Sequence, residues 1–179
     1  LKALYMDKTV FDIQFTKEFN FRSDGIDEVE FYISTNPGEP ARPLAKIASG
    51  GELSRIMLAL KTIFSRHQGV TSIIFDEVDT GVSGRVAQAI GEKIYQISRY
   101  SQVLSITHLP QVAALSDHHY LITKTVEGNR THTSVHSLNE NERIEEIARM
   151  IAGAQITDAT RDHAQEMLEL ADQMKAGVT

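Results

Sequence analysis

The strongest constraint on the fold comes from two adjacent acidic residues, Asp76 and Glu77, which end a short apolar run at residues 72–75. Glu77 follows Gly51 by 26 positions, and Gly50 and Gly51 open a segment with helical periodicity. An apolar run of this length predicts a buried strand, whose C-terminal end then carries two carboxylates. Carboxylates at a strand end, near a Gly-Gly turn that opens a helix, are typical of a site for Mg²⁺ and nucleotide phosphate.

A second apolar run, residues 103–106, leads into Thr107 and His108. The 31 positions between Glu77 and His108 leave room for a helix between two parallel strands. Because the carboxyl ends of parallel strands lie at one edge of a sheet, we expect the imidazole and the acidic pair to lie together. The alternative for His108 is an ordinary histidine with a satisfied hydrogen bond at the end of a strand.

The order of apolar patterns along the chain predicts an α/β fold. Alternating residues at 10–15 and 29–33 flank Asp24-Gly25 and predict two antiparallel strands. After Gly51, apolar residues recur at the spacing of an amphipathic helix packed on a sheet. The segments that follow are predicted to be a strand at 71–76, a helix from about Ser83 to Ile97, a strand at 102–106, a short helix at 111–115, a hairpin of strands near 120–122 and 131–135, and helices at 141–152 and from Thr157 or Asp158. We therefore expect a largely parallel core sheet, flanked by helices, with antiparallel strands added.

Length and composition predict a single domain over residues 1–179, since 41% of the residues are hydrophobic and can form one core. The formal net charge of −6 is unlike the basic surface of an autonomous DNA-binding module. No apolar stretch approaches the roughly 20 residues of a membrane span, and residues 1–5 lack the apolar block of a signal peptide. The sequence contains no cysteine, which excludes disulfides and thiolate metal sites. We expect a cytoplasmic location.

A phosphate-binding loop of the form Gly-x-x-x-x-Gly-Lys-Ser/Thr does not occur in the sequence. The Gly50-Gly51 pair is followed by Glu52 and not by lysine. A nucleotide bound in the usual P-loop manner would therefore be held by residues outside this sequence. We expect the chain to supply part of a nucleotide site and to be inactive by itself.

Three short motifs, taken together in their order and spacing, resemble the C-terminal half of an ABC-type ATPase head. Ser49-Gly50-Gly51-Glu52 is similar to the signature motif, Asp76-Glu77 to the Walker B acids, and Thr107-His108 to the switch histidine. Each motif is weak alone, and Ser49 with its glycines could be an ordinary helix N-cap. The resemblance implies that the cofactors are ATP and Mg²⁺.

Four longer stretches narrow the resemblance to the RecN family, the SMC-like ATPases of bacterial double-strand break repair. They are residues 36–39, 47–55, 75–84 and 107–113. The resemblance implies that this chain is the C-terminal lobe of a split ABC/SMC-type head. Residues 1–6 would then end a returning coiled-coil helix, and residues 46–115 would carry the signature, Walker B, D-loop and switch-histidine region. Another ABC-type ATPase, either a chromosome-organising SMC protein or a transporter subunit, and a non-catalytic interaction domain remain the alternatives.

The resemblance also implies a role for each motif residue. Asp76 would position Mg²⁺ through water, Glu77 would act as the base for the water that attacks the γ-phosphate, and His108 would hydrogen-bond that phosphate. The signature residues would contact ATP held by a second head, and Asp79 would lie in the D-loop that crosses the interface between heads. The residues implied to contact nucleotide are Ser49, Gly50, Gly51, Glu52 and Asp79.

The partners implied by the resemblance are large. They are the N-terminal head lobe of the same protein, a second head in an ATP-dependent homodimer, and DNA bound by the whole protein. Recombination proteins are further possible partners, and a membrane is not expected. The implied location is the cytoplasm, in association with the nucleoid.

Overall fold

The structure is a computed structural model of the chain. It describes residues 1–46, 50–69, 71–76, 78–128, 130–153 and 155–177, without the side chains of residues 65–68.

The chain begins with an antiparallel sheet of three strands. β1 (Val10–Arg22) pairs with β2 (Gly25–Ser34) through a tight turn, and β2 pairs with the short β3 (Arg42–Pro43). Cross-strand pairing joins Phe11 to Ile33, so apolar residues of both strands lie on one face of the hairpin. The predicted antiparallel pair is confirmed, and both strands are longer than the alternation indicated.

Five elements then alternate between helix and strand, as the sequence predicts. They are α1 (Gly50–Gln68), β4 (Ser72–Asp76), α2 (Gly84–Ser98), β5 (Gln102–Ile106) and the short α3 (Pro110–Ala114). β4 and β5 form a parallel pair, which confirms the parallel core.

The rest of the described chain is a hairpin followed by two helices. β6 (Tyr120–Glu127) pairs antiparallel with β7 (Arg130–Ser137). α4 (Glu140–Ala152) begins with a capping box, in which the Asn139 side chain accepts from the Glu142 amide and the Glu142 carboxylate accepts from the Asn139 amide. α5 (Asp158–Gly177) follows Thr157, whose hydroxyl oxygen accepts from the Thr160 amide.

The main core lies on one face of the parallel pair. Ile73 and Phe75 of β4 are buried there against α1, α2 and α3. The opposite face is open, with Ile74 of β4 69% exposed and Leu104 and Ile106 of β5 about half exposed. Parallel strands are usually covered on both faces, so this open apolar face is the surface where further structure is expected to pack.

Residues near the start of the chain join the main core through a 3₁₀ helix, Lys2–Leu4. The Leu4 side chain is buried, and Tyr5 ends the turn in the left-handed conformation, at φ 57°. The assignment of residues 1–6 to the end of a coiled-coil helix stays a prediction. In the part of the chain that the structure describes, no helix has the length and apolar character needed to cross a bilayer.

His119 precedes β6 and gives the fold a pH-dependent element. Its Nδ1 atom is buried without a hydrogen-bond partner among the described residues. Burial, and then the charge of Arg143, lower the pKa of His119 below the ordinary histidine value, while Glu146 partly opposes the shift. The folded chain therefore favours the neutral ring, and the unfolded chain takes up the proton at higher pH.

We expect the free energy of unfolding to fall as pH falls below about 6.5, because protons bind preferentially to the unfolded state. His119→Gln removes the titrating group, so the difference between pH 7.5 and pH 5.5 should shrink in this variant, as measured by urea unfolding. His118→Gln, at the exposed neighbouring position, is the matched control and should behave like the wild type. An unchanged pH difference in His119→Gln would contradict this account.

Candidate functional site

The parallel pair brings the acidic segment and the histidine segment to one edge of the sheet. In the register of β4 and β5, Asp76 lies beside Ile106. The residues after Asp76 and the residues after Ile106 therefore leave the sheet side by side, as the sequence predicts. Asp79 contacts the segment that follows β5.

Among the described carboxylates of this edge Asp79 is the most buried, with 1% of its surface exposed. The Thr107 hydroxyl donates a hydrogen bond to Oδ2 of Asp79. His108 Nδ1 lies 3.6 Å from Oδ1 of the same carboxylate, while 68% of the His108 side chain is exposed. The imidazole therefore has one ring nitrogen beside a buried acid and most of its surface open to solvent.

Thr107 connects this contact to the next helix. Its hydroxyl oxygen accepts from the Leu109 amide at 3.0 Å, and Leu109 is the N-cap residue of α3, which starts with Pro110. The hydroxyl thus bridges Asp79 and the start of α3. Sequence analysis paired Thr107 with His108 but gave it no role, because a threonine at a strand end has no distinctive pattern.

The start of α1 approaches the same edge from the other side. A Cβ atom built on Gly51 would lie 2.8 Å from the Thr80 carbonyl oxygen, whereas one built on Gly50 would meet no atom of the described residues within 4 Å. The two glycines therefore differ. Gly51 is required by close approach to the chain's own backbone, and close approach of both glycines to an anion stays a prediction.

Arg55 holds the start of α1 in place. Its Nε donates to the Gly51 carbonyl at 3.3 Å, and its Nη1 donates to the Leu4 carbonyl at 3.4 Å. The guanidinium thus links α1 to the 3₁₀ turn near residue 4. Sequence analysis gave Arg55 no role; its spacing from Gly51 indicates the first contact, while the second joins distant parts of the chain and has no local signal.

Comparison with known proteins decides the family. No family model matches the chain. The DNA repair protein RecN of Halalkalibacterium halodurans is 63% identical over 179 residues, covering 98% of this chain and 32% of the relative. RecN of Bacillus subtilis is 56% identical over 190 residues, covering 98% of this chain and 33% of the relative. The chain belongs to the RecN family.

The chain spans about a third of the length of these RecN relatives. The Smc head domain of Pyrococcus yayanosii superposes with a TM-score of 0.60 at 19% identity, over 81% of this chain and 26% of that one. A structure from a study of ATP-driven dimerisation and DNA-stimulated activation of SMC ATPases superposes with a TM-score of 0.52 at 19% identity, over 81% of this chain and 83% of that one. The RecN-type chain therefore has the mixed α/β fold found in SMC heads, as predicted.

Several predicted site residues are placed and two are not. Asp76 ends β4 with an exposed side chain, Glu52 is half-buried in the first turn of α1, and His108 and Asp79 lie together. Ser49 and Glu77 lie outside the described residues. Among the described residues, no group of three or more His, Cys, Asp or Glu side chains could hold a metal ion.

The donor chemistry at Asp76 nevertheless fits Mg²⁺. This ion commonly keeps several waters and binds through one or two carboxylates together with substrate phosphates. A single exposed carboxylate at the end of β4 meets that need. The surroundings of Asp79 do not, because its carboxylate is buried beside a hydroxyl and an imidazole.

Proposed function

We propose that this chain is the C-terminal lobe of the ATPase head of a RecN-type protein that acts in DNA double-strand break repair. The observation that carries the proposal is the meeting of three segments at one sheet edge. Gly51 approaches Thr80, and Asp79 contacts Thr107 and His108. The segments that resemble the signature motif, the D-loop and the switch histidine are therefore neighbours in the fold.

The N-terminal lobe of the same protein is the proposed partner of the open face of the parallel pair. Ile74, Leu104 and Ile106 expose apolar surface there, which a second lobe would remove from water. This lobe would also supply the P-loop that the chain lacks. The nucleotide site is then shared between the lobes.

The chain's own residues would divide the work of ATP hydrolysis. Asp76 would hold Mg²⁺ through water, and the ion when bound would neutralise charge on the phosphates. Glu77 would accept the proton of the attacking water. His108, exposed at the edge, would hydrogen-bond the γ-phosphate and so respond to its presence.

The start of α1 would serve a second head. Ser49, Gly50, Gly51 and Glu52 would contact ATP held by the partner's P-loop, and the open space at Gly50 is available for that approach. The loop around Asp79 would lie near the interface between heads, with the carboxylate itself turned to its own chain. ATP would thus close a homodimer of heads. The whole protein would bind DNA and recombination proteins, and it would act in the cytoplasm, at the nucleoid.

The chain by itself should show little or no ATP hydrolysis, because a phosphate-cradling loop is absent from its sequence. The measurement is steady-state phosphate release by the purified chain and by the longer RecN-type protein that contains it. Turnover by the longer protein alone supports the shared site. Robust turnover by the chain, abolished in Glu77→Gln, would overturn it.

The same measurement decides between this function and a non-catalytic interaction domain. An interaction domain with the same fold would leave the longer protein without turnover. The burial of Asp79 beside His108 favours the ATPase, since burying a carboxylate is costly and a purely structural surface has no need of one.

A further inference from the structure

The contacts of the buried carboxylate at the sheet edge point to a role inside its own chain. We infer that Asp79 is a positioning residue for His108, which holds the imidazole in one orientation and one tautomer. The consequence for hydrolysis rests on the proposed function of His108. The contact between Asp79 and His108 does not depend on that function, so an experiment can contradict either one without the other.

Asp79 is buried, and its carboxylate needs hydrogen-bond donors from the protein. A carboxylate that is 1% exposed is costly unless donors replace its water. The Thr107 hydroxyl and the His108 imidazole both reach it, from the segment that follows β5. Two successive residues of that segment therefore converge on one acid.

The direction of the Thr107 hydrogen bond can be assigned. The Thr107 oxygen accepts from the Leu109 amide, so its own proton is free to point to Oδ2 of Asp79. Thr107 thus acts as a donor to the acid. Oδ1 is the oxygen that faces His108.

The His108 imidazole faces Asp79 through its Nδ1 atom. Oδ1 lies 3.6 Å from Nδ1, slightly longer than a hydrogen bond, and such contacts often shorten when a substrate complex forms. A carboxylate at this place favours the proton on Nδ1. With that proton held on Nδ1, the ring keeps one orientation, and Nε2 faces a phosphate oxygen as a donor once the ring takes up a proton from solvent and becomes an imidazolium.

Nitrogen-15 NMR of the histidine side chains in the nucleotide-free chain, near pH 8, tests the contact directly. We expect His108 to be mainly the Nδ1–H tautomer, in contrast to free histidine, and Asp79→Asn to move the population towards Nε2–H. Asp117→Asn removes an exposed carboxylate far along the chain and is the control, with no change expected at His108. An Nε2–H majority in the wild type overturns the inference, even if Asp79→Asn does not fold.

Turnover by the longer protein tests the consequence. Asp79→Asn should lower kcat by about 10-fold to 10²-fold through misplacement of His108. The same substitution should cost little in a His108→Ala background, because both changes then remove one function. An equal cost in both backgrounds would overturn the positioning role. Full turnover in His108→Ala alone would instead overturn the proposed function of His108, with the tautomer result unaffected.

Discussion

Glu77→Gln in the longer RecN-type protein is expected to slow ATP hydrolysis by about 10²–10⁴-fold and to leave ATP binding intact. Glutamine keeps the shape of the side chain and can still hydrogen-bond water, but it cannot accept a proton as a carboxylate does. ATP-bound, closed head dimers should therefore accumulate. Phosphate release measures the turnover, and light scattering with ATP measures the dimer fraction.

Two variants make this result specific. Asp76→Asn changes the exposed carboxylate at the end of β4 and should lose Mg²⁺-dependent closure as well as turnover. Ser49→Arg, combined with Glu77→Gln, should prevent the dimers from accumulating while each head still binds ATP. Wild-type turnover in Glu77→Gln, or the same loss of closure in Glu77→Gln and Asp76→Asn, would mean that the two carboxylates have the opposite roles or none.

The secondary structure was predictable where the apolar pattern is regular. β5 has the predicted bounds, β4 differs from the prediction by one residue at its start, and α2 differs by one residue at each end. The strands of the two hairpins are longer than predicted, and β1 most of all, because it continues to Arg22 where the prediction stopped at Phe15. Lys17 interrupts the apolar alternation, and pairing with β2 through Lys17 and Asp27 extends the strand despite it.

The contacts of the site were only partly predictable. The parallel pair places the Asp79 and His108 segments at one edge, and that follows from the order of strands and helices. The burial of Asp79 beside Thr107 does not follow from that order, because an acid after a strand end is usually solvated. The approach of Thr80 to Gly51 could not be predicted either. The glycine pattern shows that space is needed at this position, but it does not show which residue occupies the space.

Gly51 and Gly50 provide the sharpest test of the site's geometry, because they are adjacent and only one of them is crowded. A methyl group at Gly51 would lie 2.8 Å from the Thr80 carbonyl oxygen, a distance that real side chains do not tolerate. Backbone cannot move aside as a flexible side chain can, so α1 or the loop at Thr80 must shift. Overpacking of this kind typically costs about 1–3 kcal/mol.

Gly51→Ala should therefore lower the free energy of unfolding of the chain by about 1–3 kcal/mol, seen as an earlier urea midpoint. Gly50→Ala is the matched control, and it should be neutral or stabilising by up to about 1 kcal/mol, because its methyl group meets open space and alanine favours helix. In the longer protein Gly50→Ala should weaken ATP-dependent association although it does not lower stability, because Gly50 is proposed to contact the ATP of a second head. Equal stability of the two variants would show that the contact with Thr80 is not what requires glycine at position 51.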